Sequence, residues 1–491
     1  MDSVRFAIGS RGSITLMLLA SIFSLCLAGF DASLIGNLNV VPRYTEYFKL
    51  TTDLVALNTA IVSAGQVVSG LSAGHLSDHF GRRAALGIGA SIIIIGAVLQ
   101  ASATTEAQFC VGRFVEGFAF TIVQTSSTTW IMESMPPKHR GILMGILISS
   151  IPLSGVLSSG INIGTFNLEN NWAWRSGFIV EIAFPLFSLC LLPFTHESPR
   201  WLVYKGRSTE ALAVICHLHA YGNAGGPEVR REFAEISEVI EKERQIEKPW
   251  KSLIAPRSNL KRFSYSALTM IFYQITGSNT LIFFFPLILA NAGINSVKTI
   301  LIVITCLTGC IFFCVITGGW LSDRFGRKKI LVTGTIVMDL CLVVLAVLSY
   351  LSASRKSTAY GPGAIAAVLV FQFASYNSWM ILNYTYPLEV LSFTQRAKGV
   401  AASQSLSYAF SFLTLYTIPI ALKHIGWKFY VINASWNLVI LAVVIFYFEE
   451  TKGKTLEAAG NTIEGQAVDE SMSTEERKGS LKSVTGKGEG C

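Results

Sequence analysis

Twelve apolar runs of near-constant length recur along this chain, and they leave few folds open to it. They lie at roughly 13–36, 54–76, 84–104, 108–132, 141–163, 173–195, 263–290, 298–321, 328–351, 363–388, 397–421 and 427–448. A bilayer core takes about 20 apolar residues per helical crossing, and each crossing must satisfy its backbone internally. Of the 491 residues only 14% are charged, whereas a soluble domain carries about 25%. Mean hydropathy is +0.50, so a water-soluble fold would lack polar surface. The sequence therefore predicts an all-α integral membrane protein with twelve transmembrane helices. The first run is span-length and has no clear small-residue cleavage site, so it is expected to be the first span rather than a leader.

The runs are organised by a duplication. "GHLSDHFGRR" at 74–83 returns as "GWLSDRFGRK" at 319–328, 245 residues later. A second echo places Arg140 seven residues after Glu133, and Arg396 seven residues after Glu389. Matching loops after spans 2 and 8, and after spans 4 and 10, predict two pseudo-symmetric six-helix bundles. Parallel repeats about an axis along the membrane normal are a recurrent transporter plan, with the substrate between the halves. The expected divisions are an N-terminus (1–12), a first bundle (13–196), a linker (197–262), a second bundle (263–448) and a disordered tail (449–491). Glycine permits tight turns at 74, 81, 319 and 326. Asp78, Arg82, Glu133 and Arg140, with Asp323, Arg327, Glu389 and Arg396, are candidate gating residues. Their ion pairs are expected to tie the two bundles together at one membrane face and release them in another state.

Charge sets the orientation. Arg and Lys gather in short loops at Arg82/Arg83, Lys138/Arg140, Arg324 to Lys329 and Arg396/Lys398, while the opposite loops hold fewer. By the positive-inside rule both termini and the linker are cytoplasmic, and a plasma-membrane location is expected. The linker segment "EVRREFAEISEVIEKERQIEKPW" alternates charges on a helical period and reads as short amphipathic helices with a solvated face. The net charge of +8 requires no nucleic-acid partner. The nine cysteines form no disulfide framework. Cys306, Cys310 and Cys314 share a helix face, where small-residue packing and a soft-metal site are both open. No metal-ligand cluster or nucleophile constellation points to an enzyme.

In order and spacing these motifs resemble the sugar porter family of the major facilitator superfamily, in its fungal lactose-permease-like and hexose-transporter-like branch. The resemblance runs through "GFDASLIG" (29–36), both Asp loops, "GRFVEG" (112–117), "ESMPPKHRG" (133–141) and "WRSGFIVE" (174–181). It continues through "HESPRWL" (196–202), "QITGSN" (274–279), "YPLEVL" with "RAKG" (386–399) and "EETKGKTLE" (449–457). It implies the major facilitator fold and a secondary transporter for a sugar or sugar-like solute. It also implies substrate contacts from Gln274 and Asn279, and proton coupling through Asp31 with Arg113 as partner. An ionisable side chain within a span is costly and marks a pathway or a partner, which agrees.

The departures from the family pattern bear on the substrate. Tyr273 replaces the first of two successive glutamines, Phe283 and Phe284 replace paired tyrosines, and Ile148 replaces a glutamine. Tyr384 stands for a tryptophan, and Ser407 with Tyr408 for an amide–aromatic pair. Gln274, Asn279, Phe283, Tyr384 and Tyr408 are thus the expected substrate-binding residues, in a pocket with fewer amides and more aromatic surface. Glu116, Glu181 and Asp339 are further intramembrane acids. The leading expectation is proton-coupled symport by alternating access, with the proton as coupling ion and no other cofactor. A uniport facilitator and a non-transporting nutrient sensor are the alternatives. The expected partners are the small-molecule substrate and membrane lipids, and the oligomeric state stays open. Because Gln274 and Asn279 lie five residues apart, they need a distortion at Gly277 to face one substrate.

Overall fold

The computed structural model describes residues 9–39, 41–136, 140–219, 227–245, 250–255, 257–285, 288–289, 296–355, 358–391 and 396–451. All structural statements concern these residues. The tail read as disordered lies outside them beyond Thr451, as do the side chains of Arg140, Asn279, Asp323 and Arg396.

Each predicted run forms helix. In the first half these are α1 (Ser10–Leu38), α3 (Thr52–Phe80), α4 (Arg82–Ala101), α5 (Glu106–Ser134), α6 (Arg140–Thr165) and α7 (Trp172–Leu191), with a short α2 (Pro42–Tyr47) after α1. Three linker helices follow, α8 (Pro199–Tyr204), α9 (Ser208–His219) and α10 (Pro227–Gln245). The second half holds α11 (Arg257–Ile275), α12 (Ser278–Phe283), α13 (Val297–Phe325), α14 (Arg327–Arg355), α15 (Gly361–Ser375), α16 (Ile381–Val390), α17 (Arg396–Ile425) and α18 (Lys428–Tyr447). Ten stretches among the described residues are long and apolar enough to cross a membrane. α5 falls short because Arg113, Glu116 and Gln124 interrupt its apolar face, and the seventh run because it breaks.

Helix starts follow capping chemistry. Thr51 accepts from the Leu54 amide ahead of α3, and Thr105 accepts from Gln108 ahead of α5. Ser198 caps α8 at the Trp201 amide, with Pro199 next in line where no amide is needed. Two runs are interrupted. α11 and α12 meet at Gly277, whose φ of 103° suits glycine alone. α15 and α16 join through a π-helical turn, Tyr376–Met380, which inserts a residue's worth of rotation into the tenth span.

Within the first half α3 and α4 pack on α5, and α1 on α6 and α7. Within the second, α11 packs on α17, and α14 on α15 and α18. Contact between halves is concentrated in two pairs, α3 with α17 and α6 with α13. In the duplicated numbering these are spans 2 with 11 and 5 with 8, so each is the symmetry mate of the other. The apolar core of the first half continues into the linker helices, where Trp201, Leu202, Ile215, Val229, Ile236 and Ile240 join Met17, Trp130 and Ile131. The linker is thus docked: α10 buries its apolar stripe and leaves Arg230, Arg231 and Glu235 exposed.

Candidate functional site

The duplicated loops show the repeat at atomic scale. Arg82 pairs with Glu133 at 2.9 Å and with Asp78 at 3.0 Å. Glu197 accepts from the backbone amides of Arg82, Arg83 and Ser198 at 3.0, 3.2 and 2.9 Å, sealing the N-terminus of α4. In the second half Arg327 pairs with Glu389 at 2.9 Å, and Glu450 accepts from the amides of Arg327 and Lys328 at 2.8 and 3.2 Å. Ser198 and Thr451 each donate a hydroxyl to the glutamate of their half, Glu133 and Glu389. A methyl group on Gly81 would sit 2.5 Å from Glu197, and one on Gly326 would sit 2.6 Å from Glu450. Burial pushes the Glu197 carboxyl above the usual carboxylate range, against the pull of the surrounding amides and arginines.

These described pairs join helices of the same half. They stitch each bundle's loop end rather than bridge the bundles. Asp323, Arg140 and Arg396 are placed by backbone alone, at the matching helix ends. Glu197 and Glu450 received no role from sequence reasoning. Their signal was present as a glutamate following the sixth span of each half.

Between the halves lies a cavity of about 150 Å³. Asp31 from α1, Arg113 and Glu116 from α5, Gln274 from α11, Phe283 from α12 and Tyr408 from α17 all reach it. The fold thus brings five predicted site residues to one place: Asp31, Arg113, Gln274, Phe283 and Tyr408. Ser63 and Gln66 of α3 also line it, and neither stood out in the sequence.

Arg113 is 1% exposed. Its guanidinium pairs with Asp31, donates to the Asn58 carbonyl at 3.3 Å and lies 3.9 Å from Glu116. Glu116 accepts from Gln100 at 2.5 Å. Glu181 is fully buried, and oxygens of Asp31, Glu116 and Glu181 lie within 4.8 Å of one another. Such a trio is able to ligate a cation, but here a guanidinium already occupies the cationic role. Three carboxylates around one arginine form a group whose charge balance changes with each proton gained or lost. Asp339 does not line this cavity. It sits half-buried on α14.

Gln274 donates to Ser407 at 3.0 Å, and Ser407 donates to the Met270 carbonyl at 2.9 Å, so α11 and α17 are held together at the wall. The turn at Gly277 follows immediately and sends α12 across to α1. There Phe283 packs against the first-half cluster of Phe30, Leu34, Phe109 and Trp174, forming an apolar roof. Tyr384 does not line the cavity. Its hydroxyl receives a 3.0 Å hydrogen bond from Gln124, which in turn accepts from Tyr408 at 2.9 Å.

Known proteins resemble the chain along almost all of its length. The sugar (and other) transporter family matches residues 16–462. A high-affinity glucose transporter of Kluyveromyces lactis is 27% identical over 447 residues, which cover 87% of this chain and 81% of the relative. An H(+)/hexose cotransporter of Parachlorella kessleri is 27% identical over 401 residues, covering 80% and 73%. Among solved structures, the proton:xylose symporter XylE of the major facilitator superfamily, bound to 6-bromo-6-deoxy-D-glucose, superposes with a TM-score of 0.74 at 21% identity. That superposition covers 92% of this chain and 99% of XylE, so the major facilitator fold of two six-helix bundles is this chain's fold. With the family matched across both halves, the chain belongs to the sugar (and other) transporters.

Proposed function

We propose that the protein moves a sugar or sugar-like solute across a membrane by alternating access, in symport with protons. The observation that carries this reading is the buried Asp31–Arg113 pair opening into a cavity shared by both halves. Proton uptake on Asp31 dissolves the ion pair, and proton release restores it, so the cavity's charge changes with the transport cycle. Residues 13–196 rock against 263–448 about the two symmetry-related contacts. The loop end with Arg82 and Arg327 faces the cytoplasm, by the positive-inside rule, and the protein resides in the plasma membrane. Names of the relatives, a glucose transporter, an H(+)/hexose cotransporter and a proton:xylose symporter, support substrate class and coupling ion.

The lining itself narrows the substrate. Two carboxamides, Gln66 and Gln274, share the cavity lining with Phe120, Phe283 and Tyr408. A site that bonds hydroxyls rejects solutes lacking them, because its buried polar groups are left unmatched. Few amides and much aromatic surface favour a sugar-like solute with an apolar face. The test is uptake of radiolabelled D-glucose and D-xylose into proteoliposomes under an imposed pH gradient. Accumulation above the outside concentration that collapses with a protonophore supports symport. Equilibration without accumulation makes the protein a facilitator, and binding without uptake makes it a sensor.

A further inference from the structure

We infer that Gln124 is the latch of the inner gate: it holds Tyr384 and Tyr408 together across the floor of the cavity, and inward opening breaks both hydrogen bonds. The inference rests on the alternating-access reading above, and it adds a residue that neither motif nor family resemblance marked. Register places the latch. On α5 the cavity is lined by Arg113, Glu116, Gly117 and Phe120, and Gln124 follows one turn deeper on the same face. On α17 the lining runs from Leu415 through Ser411 to Tyr408, which is its deepest member. Both series end at one level, where the hydrogen bonds are found.

The chemistry fits a latch. One carboxamide offers a donor group and an acceptor, and here each is used once. Its Nε2 donates to Tyr384 on α16, and its Oε1 accepts from Tyr408 on α17. Gln124 belongs to the first half and both tyrosines to the second, so separating the halves at this level must break both bonds. The roof differs in kind. Phe283 closes it by apolar contact, which water cannot replace, whereas water or a substrate hydroxyl can take over each bond of the floor. The latch is also wired to the wall: Tyr408 follows Ser407, which accepts from Gln274. A solute that engages Gln274 therefore acts on the residue next to the latch. Gln124 is a positioning residue for the gate and is assigned no direct substrate contact.

The experiment reads accessibility rather than transport, so it needs no knowledge of the substrate. An Ala28→Cys reporter lies in the cavity wall. It is placed in a background with the native cysteines changed to serine and labelled with a membrane-impermeant maleimide, in right-side-out and inside-out vesicles. Gln124→Ala should speed labelling from the cytoplasmic face about tenfold and slow it from the other, as expected for two lost neutral hydrogen bonds. Tyr384→Phe and Tyr408→Phe, which keep the ring, should each give about threefold. If Gln124→Ala fails to fold, the double Tyr384→Phe/Tyr408→Phe variant decides on the same criterion. Rates unchanged at both faces overturn the latch and leave alternating access standing. A reporter closed to both faces in every variant overturns the latch together with the reading of this cavity as a transport path.

Discussion

Arg113 is the side chain on which the proposed coupling turns, because it touches Asp31 and stands within 3.9 Å of Glu116. A guanidinium stays charged in proteins, so only the acids around it exchange protons. Asp31→Asn mimics the protonated partner. We expect it to abolish accumulation of D-xylose or D-glucose driven by a pH gradient while exchange of either sugar across the membrane continues. Accumulation that survives in this variant would transfer the role to Glu116 or Glu181. Gln274 supports a separate prediction. Removing its amide leaves Ser407 without that donor, so Gln274→Ala should weaken binding of a hydroxylated substrate by about 1–2 kcal/mol. Isothermal titration would expose an error here as an affinity equal to wild type. Asp31, Arg113 and Gln274 were singled out because the motifs around them resemble the sugar porter family, and for Asp31 and Arg113 the cost of a charge inside an apolar run agreed. Gln124 sits in such a run too, but its partners lie more than two hundred residues away on other helices, and no local pattern announces them.

Among the elements, the broken seventh span and the glutamate-capped starts of α4 and α14 carry the most information. The need for Gln274 and Asn279 to face one solute implied a distortion at Gly277, and the chain does turn there, with φ at 103°. A methyl group at that glycine would meet the Asn433 side chain at 2.9 Å as well as the unfavourable backbone geometry. The π turn of the tenth span had no such signal. It depends on how Asn377, Ser378 and Trp379 seat against α13 and α14, where Asn377 takes a hydroxyl from Thr317 and Trp379 donates to Thr335. The Glu197 and Glu450 caps predict matched behaviour. Each carboxylate accepts backbone amides at the start of a span, so Glu197→Gln and Glu450→Gln should each cost about 1–2 kcal/mol. Thermal unfolding of the purified protein in detergent measures this. Two unchanged transitions would show that the amides are served equally well without the charge.

For the whole molecule, the decisive feature is that contact between the halves, among the described residues, is concentrated in two symmetry-related helix pairs. Ser63 and Ser411 mark one of them, with hydroxyl oxygens 3.2 Å apart at the cavity wall. A pivot requires these surfaces to move relative to each other. A disulfide between Ser63→Cys and Ser411→Cys should therefore stop uptake under oxidation and restore it on reduction. Continued uptake by the oxidised, cross-linked protein would mean that the halves do not part along this contact. The ion pairs described at the loop ends lie within a half, Arg82 with Glu133 and Arg327 with Glu389.

Spans, their number and the duplication were determined by the sequence itself. Burying a helix in lipid demands a long apolar run, and a charge inside one is costly enough to stand out. What the tertiary structure alone decided is which residues meet. Asp31, Arg113, Glu116 and Glu181 converge from three helices, Phe283 crosses to the other half, and Gln124 finds two tyrosines. Such meetings depend on helix rotation and crossing, which the backbone break at Gly277 and the π turn set. Periodicity along one helix records which face is polar, but it carries no record of what that face will touch.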